Sequence, residues 1–283
     1  MSAGRQRAIL DGYRVQCKNG NRKAEKLAPI LTVIECRAYN FYGKFGMPAA
    51  AAVPYTKTIV CLANSRKLTG RCVAGKEWDG RSPGPWCRPV SERERGELTA
   101  ERWYRTTFRD PRLLDLIEVS LLHPRPSGCQ IENHLVDATF RWRFAGRVSA
   151  RQLLPAVDRV TGPLWVNCGS TTGGKNDRVP AEIAERQPNS LVLVQPEQME
   201  ITINTEGANT ELARRRVRGH FSLSGHDYGL SITDPVIEAE MKPQPDGARI
   251  ELHKPILCIS LSEKFAVQNA CYKLIAGVVR LTA

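Results

Sequence analysis

The chain has no apolar run approaching the roughly 20 residues of a bilayer-spanning helix, so a helical membrane protein is excluded. It has no C-x-x-C pair. Its nine cysteines are scattered and odd in number, and they read as reduced, mostly buried thiols of a cytoplasmic protein rather than as a disulfide framework. No secretory pattern is present, because the basic N-terminus leads into short apolar stretches broken by charge. Neither a nucleophile elbow nor a lipase or kinase signature occurs, which leaves covalent catalysis without a candidate. No close internal repeat is visible. The 283 residues are enough for one large domain or two small ones with a sizeable core.

What the chain has in excess is positive charge, formally +12. Of its 41 basic residues, 29 are arginine, a bias that suits a GC-rich bacterial source. The charge is unevenly placed. Residues 1–46 carry 9 basic and 3 acidic groups, residues 47–160 carry 19 and 12, and residues 161–283 carry 13 and 14. A basic first half attracts phosphates without reading sequence, whereas the second half has no net attraction to offer.

Residues 1–46 sustain neither strand nor helix periodicity. They read as a poorly ordered leader upstream of a natural start at Met47. Beyond Met47 the chain is mainly strands. "TKTIVCLA" (56–63) and "RCVAGKEW" (71–78) flank a seven-residue connection, and "WCRPVS", "LLDLIEVSLL" and the alternating "TFRWRFAG" (139–146) follow. A helix capped by Ser149 and broken at Pro155 lies midway. Further strands are expected at 190–196, 198–204, 215–224, 248–254, 256–262 and 272–281, and "DYGLSITDP" (227–235) leads into a short helix capped by Asp234 and started by Pro235. This pattern predicts a mainly β protein of two tandem small barrels with a few short helices, the first over 47–160 and the second over 161–283.

Three constellations compete for function. "GSTTGGK" (169–175) has P-loop spacing, but Asn176 stands where Ser or Thr should hold Mg²⁺, and Pro180 falls where a helix should be running, so a Gly-rich surface loop is expected. His220 and His226, with Asp227, lack a third ligand at a metal spacing, and no metal or cofactor is expected. The third constellation is cationic. Asn64, Arg66, Lys67, Arg71, Lys76 and Arg88 crowd the first hairpin. Arg141 and Arg143 alternate with Phe140, Trp142 and Phe144, while Arg216 and Arg218 alternate with Val217 and Phe221, so each half has a strand with one apolar and one cationic face. Such faces track nucleic-acid backbones in oligonucleotide-binding barrels.

The blocks "LANSRK", "RCVAGKE", "WCRPVS", "LLDLIEV", "QIENHLVD", "NDRV", "SITDP", "ILCISLSEKF" and "CYKLIAGVV", in order over about 56–282, resemble the bacterial dual OB-containing domain proteins. The resemblance implies two OB-type barrels and a role in prokaryotic conflict systems, and it carries no catalytic residues. The resulting expectation is a non-catalytic cytoplasmic protein that recognises nucleic acid or a nucleotide-like anion through those ten residues, mainly on the first barrel. The alternatives are an adaptor for a protein partner and an enzyme. The enzyme would require Glu132, His134, His220, His226 and Asp227 to converge.

Overall fold

Strand β1 (Tyr55–Lys67) and strand β2 (Gly70–Trp78) form a long antiparallel hairpin. The expected seven-residue connection is itself strand, because Asn64 to Lys67 pair with Val73 to Gly70 and only Leu68 and Thr69 turn the chain. Strands β3 (Pro83–Val90), β4 (Asp115–Pro124) and β5 (Asn133–Val136) complete a ring in the order β1-β2-β3-β5-β4, closed by a β1–β4 ladder, with β3 and β5 parallel. Strand β6 (Arg143–Arg147) adds to β4. The computed structural model describes residues 53–207 and 213–281, all within the unit 51–283. The expected leader and Met47 lie outside these residues.

The "TFRWRF" stretch departs from its expected alternation. Asp137 accepts hydrogen bonds from the amide and hydroxyl of Thr139 and, through its carbonyl, from the amide of Phe140. This turn delays the strand to Arg143. Trp142 is core, but Phe140 and Phe144 are 62% and 41% exposed, so the apolar face is not continuous.

Helix α1 (Ala150–Leu153) carries the expected Ser149 cap, with Gln152 returning the bond as a capping box. It gives way to a 3₁₀ turn at Pro155. The short strand β7 (Arg178–Pro180), helix α2 (Ala181–Ala184) and strand β8 (Leu191–Val194) lead into the second ring. That ring holds β9 (Gln198–Glu206), β10 (Arg214–Leu223) and β11 (His226–Ile232), then helix α3 (Pro235–Met241), β12 (Arg249–His253), β13 (Ile256–Leu261) and β14 (Ala270–Val279). Strand β12 pairs with β9, while β13 pairs with β14, and β11 and β14 are parallel. Only Lys254, at φ 46°, and Pro255 separate β12 from β13, so the two act as one bent fourth strand. The second ring thus repeats the order 1-2-3-5-4 of the first, and the fold is two OB-type barrels.

Each barrel has its own core. Ile59, Cys61, Val119 and Trp142 fill the first, and Ile201, Val217, Leu230 and Ile275 fill the second. A third cluster lies between them. Val60, Leu62, Ala74 and Trp78 pack on Leu191, Leu193, Ile256, Cys258 and Ala276. Unbroken apolar runs such as "IVCLA" and "ILCISL" follow from this arrangement. Alternate side chains serve the barrel interior and the seam, so neither strand face meets water. At the seam β14 runs so close to β1 that a Cβ on Gly277 would stand 2.1 Å from the Leu62 carbonyl oxygen.

A candidate ligand cleft on the second barrel

Most of the cations expected to bind ligand on the first barrel are engaged within the protein. Arg66 donates to both oxygens of Glu238 on α3, at 3.0 and 2.5 Å, and Lys67 donates to Glu263 at 2.6 Å. Lys76 is buried, donating to the Ala156 carbonyl and to Asp158 at 2.7 and 2.5 Å and lying over the Trp86 ring. Arg88 is 2% exposed, 3.0 Å from Glu132 and 3.3 Å from the Ser260 hydroxyl, and Ser190 also donates to Glu132. Asn64 donates to the Pro111 carbonyl, Arg71 lies 3.8 Å from Asp110, and Arg143 makes a two-pronged pair with Glu118. Lys67, Arg71, Lys76 and Arg88 therefore do not converge on one anion site. Arg66, Lys67, Lys76 and Arg88 instead bind the first barrel to the second and to the segment between them. Arg141 is exposed and donates to the Ala100 carbonyl.

The reason lies in which face is covered. Val60, Leu62, Ala74, Lys76, Trp86 and Arg88 form the outward face of β1–β3, and the second barrel packs on it. The matching face of the second barrel is not covered by the first barrel, and the loop 169–177 crosses it. Met199, Ile201, Val217, Phe221, Tyr228 and Leu230 point into its core. Alternation then sends Glu200, Thr202, Arg216, Arg218, His220 and Ser231 outward.

Two clefts lie on this face. One, of about 520 Å³, holds Arg214, Arg216, Arg218, Ser231 and Glu206 from the strands and Phe265 and Tyr272 from the far side. Arg218 is buried and fully engaged. It reaches Glu206 at 2.6 Å, Asp177 at 3.2 Å, and the Thr171 hydroxyl and Thr172 carbonyl at 3.2 Å. Its role is to fasten the loop 169–177 to β10. Arg216, paired with Glu206 at 2.9 Å and 3.3 Å from the Ser231 hydroxyl, is half-buried, and that burial lowers its pKa. Arg214 at the rim is exposed, with no carboxylate partner among the described residues. Phe265 is 50% exposed and meets Tyr272 edge-on at 5.2 Å. Beneath them Lys273 is fully buried, its Nζ donating to Asn167 Oδ1 at 2.7 Å and lying over the Tyr228 ring, and burial pushes its pKa down to about 8.

The loop 169–177 is the segment with P-loop spacing, and its donors are spent internally. The Thr171 amide bonds to Asp177, the Gly174 amide to the Thr171 carbonyl, the Lys175 amide to Gly229, and the Asn176 amide to Ser170. Strand β7 follows it rather than a helix. It crosses this face as a Gly-rich loop, with Lys175 paired to Asp227 at 2.7 Å. Gly173, at φ 78°, turns it past Glu206.

The other cleft, of about 800 Å³, is rich in carboxylates, including Glu197, Glu200, Glu251 and Asp227. His220 lines it, 3.1 Å from the Thr202 hydroxyl, and burial lowers its pKa. Glu132 and His134 sit on the first barrel beside Arg88 and Tyr55, so the five groups an enzyme would need are split between two barrels. Among the described residues no three His, Cys, Asp or Glu side chains are grouped to hold a metal.

A family model described as a dual OB-containing domain matches residues 57–278. The chain belongs to the dual OB-containing domain family. No curated protein matches it. OB-containing domains bind nucleic acids or proteins, and OB barrels do so on the face of their second and third strands, between the loops joining strands 1–2 and 4–5. In this dual OB-containing domain those strands are β10 and β11, and the loop between strands 4 and 5 is 262–269, which carries Phe265. The smaller cleft lies at that position. Among the described residues no helix is long and apolar enough to cross a membrane. Arg216 and Arg218 were visible from alternation. Phe265 and Tyr272 were not singled out, although a phenylalanine in the polar run "SEKFAVQN" between two strands was a usable signal.

Proposed function

We propose that the protein is a non-catalytic binding protein whose second barrel takes a nucleic-acid segment or a nucleotide-like anion in the cleft between β10, β11 and the 262–269 loop. One observation carries this reading: of the two strand faces on which OB barrels hold ligand, the first is buried in the seam, and the second, crossed by the loop 169–177, keeps a cleft beside that loop. Arg214 supplies uncompensated positive charge at the mouth, and the exposed Phe265 ring supplies a stacking surface. Arg218 is structural, since its donors are taken by the loop it holds.

The test is fluorescence anisotropy of the full chain with labelled single- and double-stranded DNA and RNA at about 50 and 200 mM salt. Salt-sensitive binding that weakens in Phe265→Ala and Arg214→Ala supports the reading. Undiminished binding in both variants removes the cleft from it. A second reading, an adaptor for a protein partner, is favoured by the carboxylates that already neutralise Arg216 and Arg218. It is supported by association with a partner on this face that is insensitive to salt.

A further inference from the structure

The first barrel carries a surface that the seam does not explain. The chain between β3 and β4 and the start of β6 bring arginines against aromatic rings. The Arg141 guanidinium lies 5.2 Å from the Phe108 ring and 5.9 Å from Trp103. Arg109 lies 5.2 Å from Tyr104 and 5.5 Å from Phe144. Phe108 and Phe140 are each 62% exposed, and Phe108 is held at φ 53°, a conformation that bulky residues rarely adopt. Carboxylates nearby are taken. Asp110 is held by Arg102 at 2.8 Å, and Asp115 by Arg147 and the Tyr104 hydroxyl at 2.7 and 2.8 Å, with Arg109 at 3.9 Å. Arg105 and Arg141 therefore have no carboxylate partner among the described residues.

Exposed rings and uncompensated guanidinium groups on one surface match one chemistry well. Phosphates satisfy the charge, and unpaired bases lie flat on the rings. An acidic peptide would use the arginines and leave the rings in water, and duplex DNA would hide its base faces. We infer that the surface formed by Trp103 and Phe108 with Arg105 and Arg141 is a second binding site, for single-stranded nucleic acid read without sequence preference. It deepens the proposed function by naming the strandedness of the ligand, and it rests on nucleic acid being the ligand of the protein.

The experiment is anisotropy of the full chain with fluorescein-labelled oligo(dT) and oligo(rU) of about 25 nucleotides, long enough to cover more than one OB site. The variants are Phe108→Ala, Arg105→Ala and Arg141→Ala, with Phe265→Ala reporting on the cleft. Phe108→Ala is expected to weaken binding about tenfold, the loss of one base–ring stack. Each arginine variant is expected to reduce the slope of log K against log salt by about 0.7. Phe108 and Arg105 are exposed, so these variants leave the core intact. Unchanged binding in the three patch variants, with a loss in Phe265→Ala, overturns the inference and keeps the cleft. The reverse pattern keeps the inference and overturns the cleft. Duplex DNA binding as tightly as oligo(dT), or equal competition by polyglutamate with no effect of Phe108→Ala, also overturns it.

Discussion

Buried charge decides much at the scale of single residues. Arg88 and Glu132 are 2% and 6% exposed, and Arg88 already has two nitrogens, Nε and Nη1, without a partner among the described residues. Glu132→Ala would strand that cation at the seam, a change that typically costs about 3–5 kcal/mol. A loss of that size is expected in denaturant unfolding, and a loss below about 1 kcal/mol would contradict the buried pairing. Replacing both partners by Met and Leu is expected to cost much less, because no unpaired charge remains. Lys273 makes a different prediction. Its ordinary value of 10.5 falls to about 8 on folding because burial disfavours the charged form. Between those values the unfolded chain holds a proton that the folded chain has lost, so this residue makes stability rise with pH across that window. Below about 8 both states are charged and the full penalty of burial applies. Thermal unfolding of wild type and Lys273→Met from pH 7 to 10 should therefore show curves that converge or cross, and parallel curves would argue against the assignment. Cys61, Cys87 and Cys258 are buried with raised pKa values, Cys87 to about 12, so they are poor nucleophiles.

At the scale of elements, long strands were readable wherever burial was one-sided or complete. The runs at 56–63, 113–122, 198–204 and 256–262 all became strands, and both helix caps fell where Ser149 and Asp234 indicated. Asp234 does more than cap, since its second oxygen accepts from the Val278 amide and ties α3 to β14. Three features were not legible. The 3₁₀ turn at Ala100–Arg102 has no side-chain cap to announce it, β5 and β7 were too short to show a period, and "TFRWRF" alternates in sequence but is bent by the turn at Asp137. Periodicity reports a face only where the segment stays straight. Gly277 shows the same limit in reverse, because no local signal marks a glycine required by another barrel's carbonyl. Gly277→Ala is expected to cost about 1–3 kcal/mol through overpacking of β14 on β1, read as a lower denaturation midpoint. An unchanged midpoint would mean that the two backbones are not in close contact.

The seam between the barrels governs the whole molecule. Hydrophobic patterning and the family blocks are enough to foresee two barrels, but the hairpin cations, which in sequence suggest an open ligand site, mostly close the seam. The difference has a physical origin. Sequence shows that Arg66, Lys67, Lys76 and Arg88 leave the first barrel's core, and it does not show whether they leave toward water or toward Glu238, Glu263, Asp158 and Glu132. With one strand face buried, the duplicated barrels are not equivalent. The first supplies the basic surface and the second supplies the open cleft. The direct test of this division is the affinity of the full chain for a labelled oligonucleotide, compared across wild type, Phe265→Ala and the seam variant Lys67→Ala at one low salt concentration. Binding that falls in Phe265→Ala and persists in Lys67→Ala is the expected result. Binding that persists in Phe265→Ala and falls in Lys67→Ala would place the ligand on the hairpin and contradict the account.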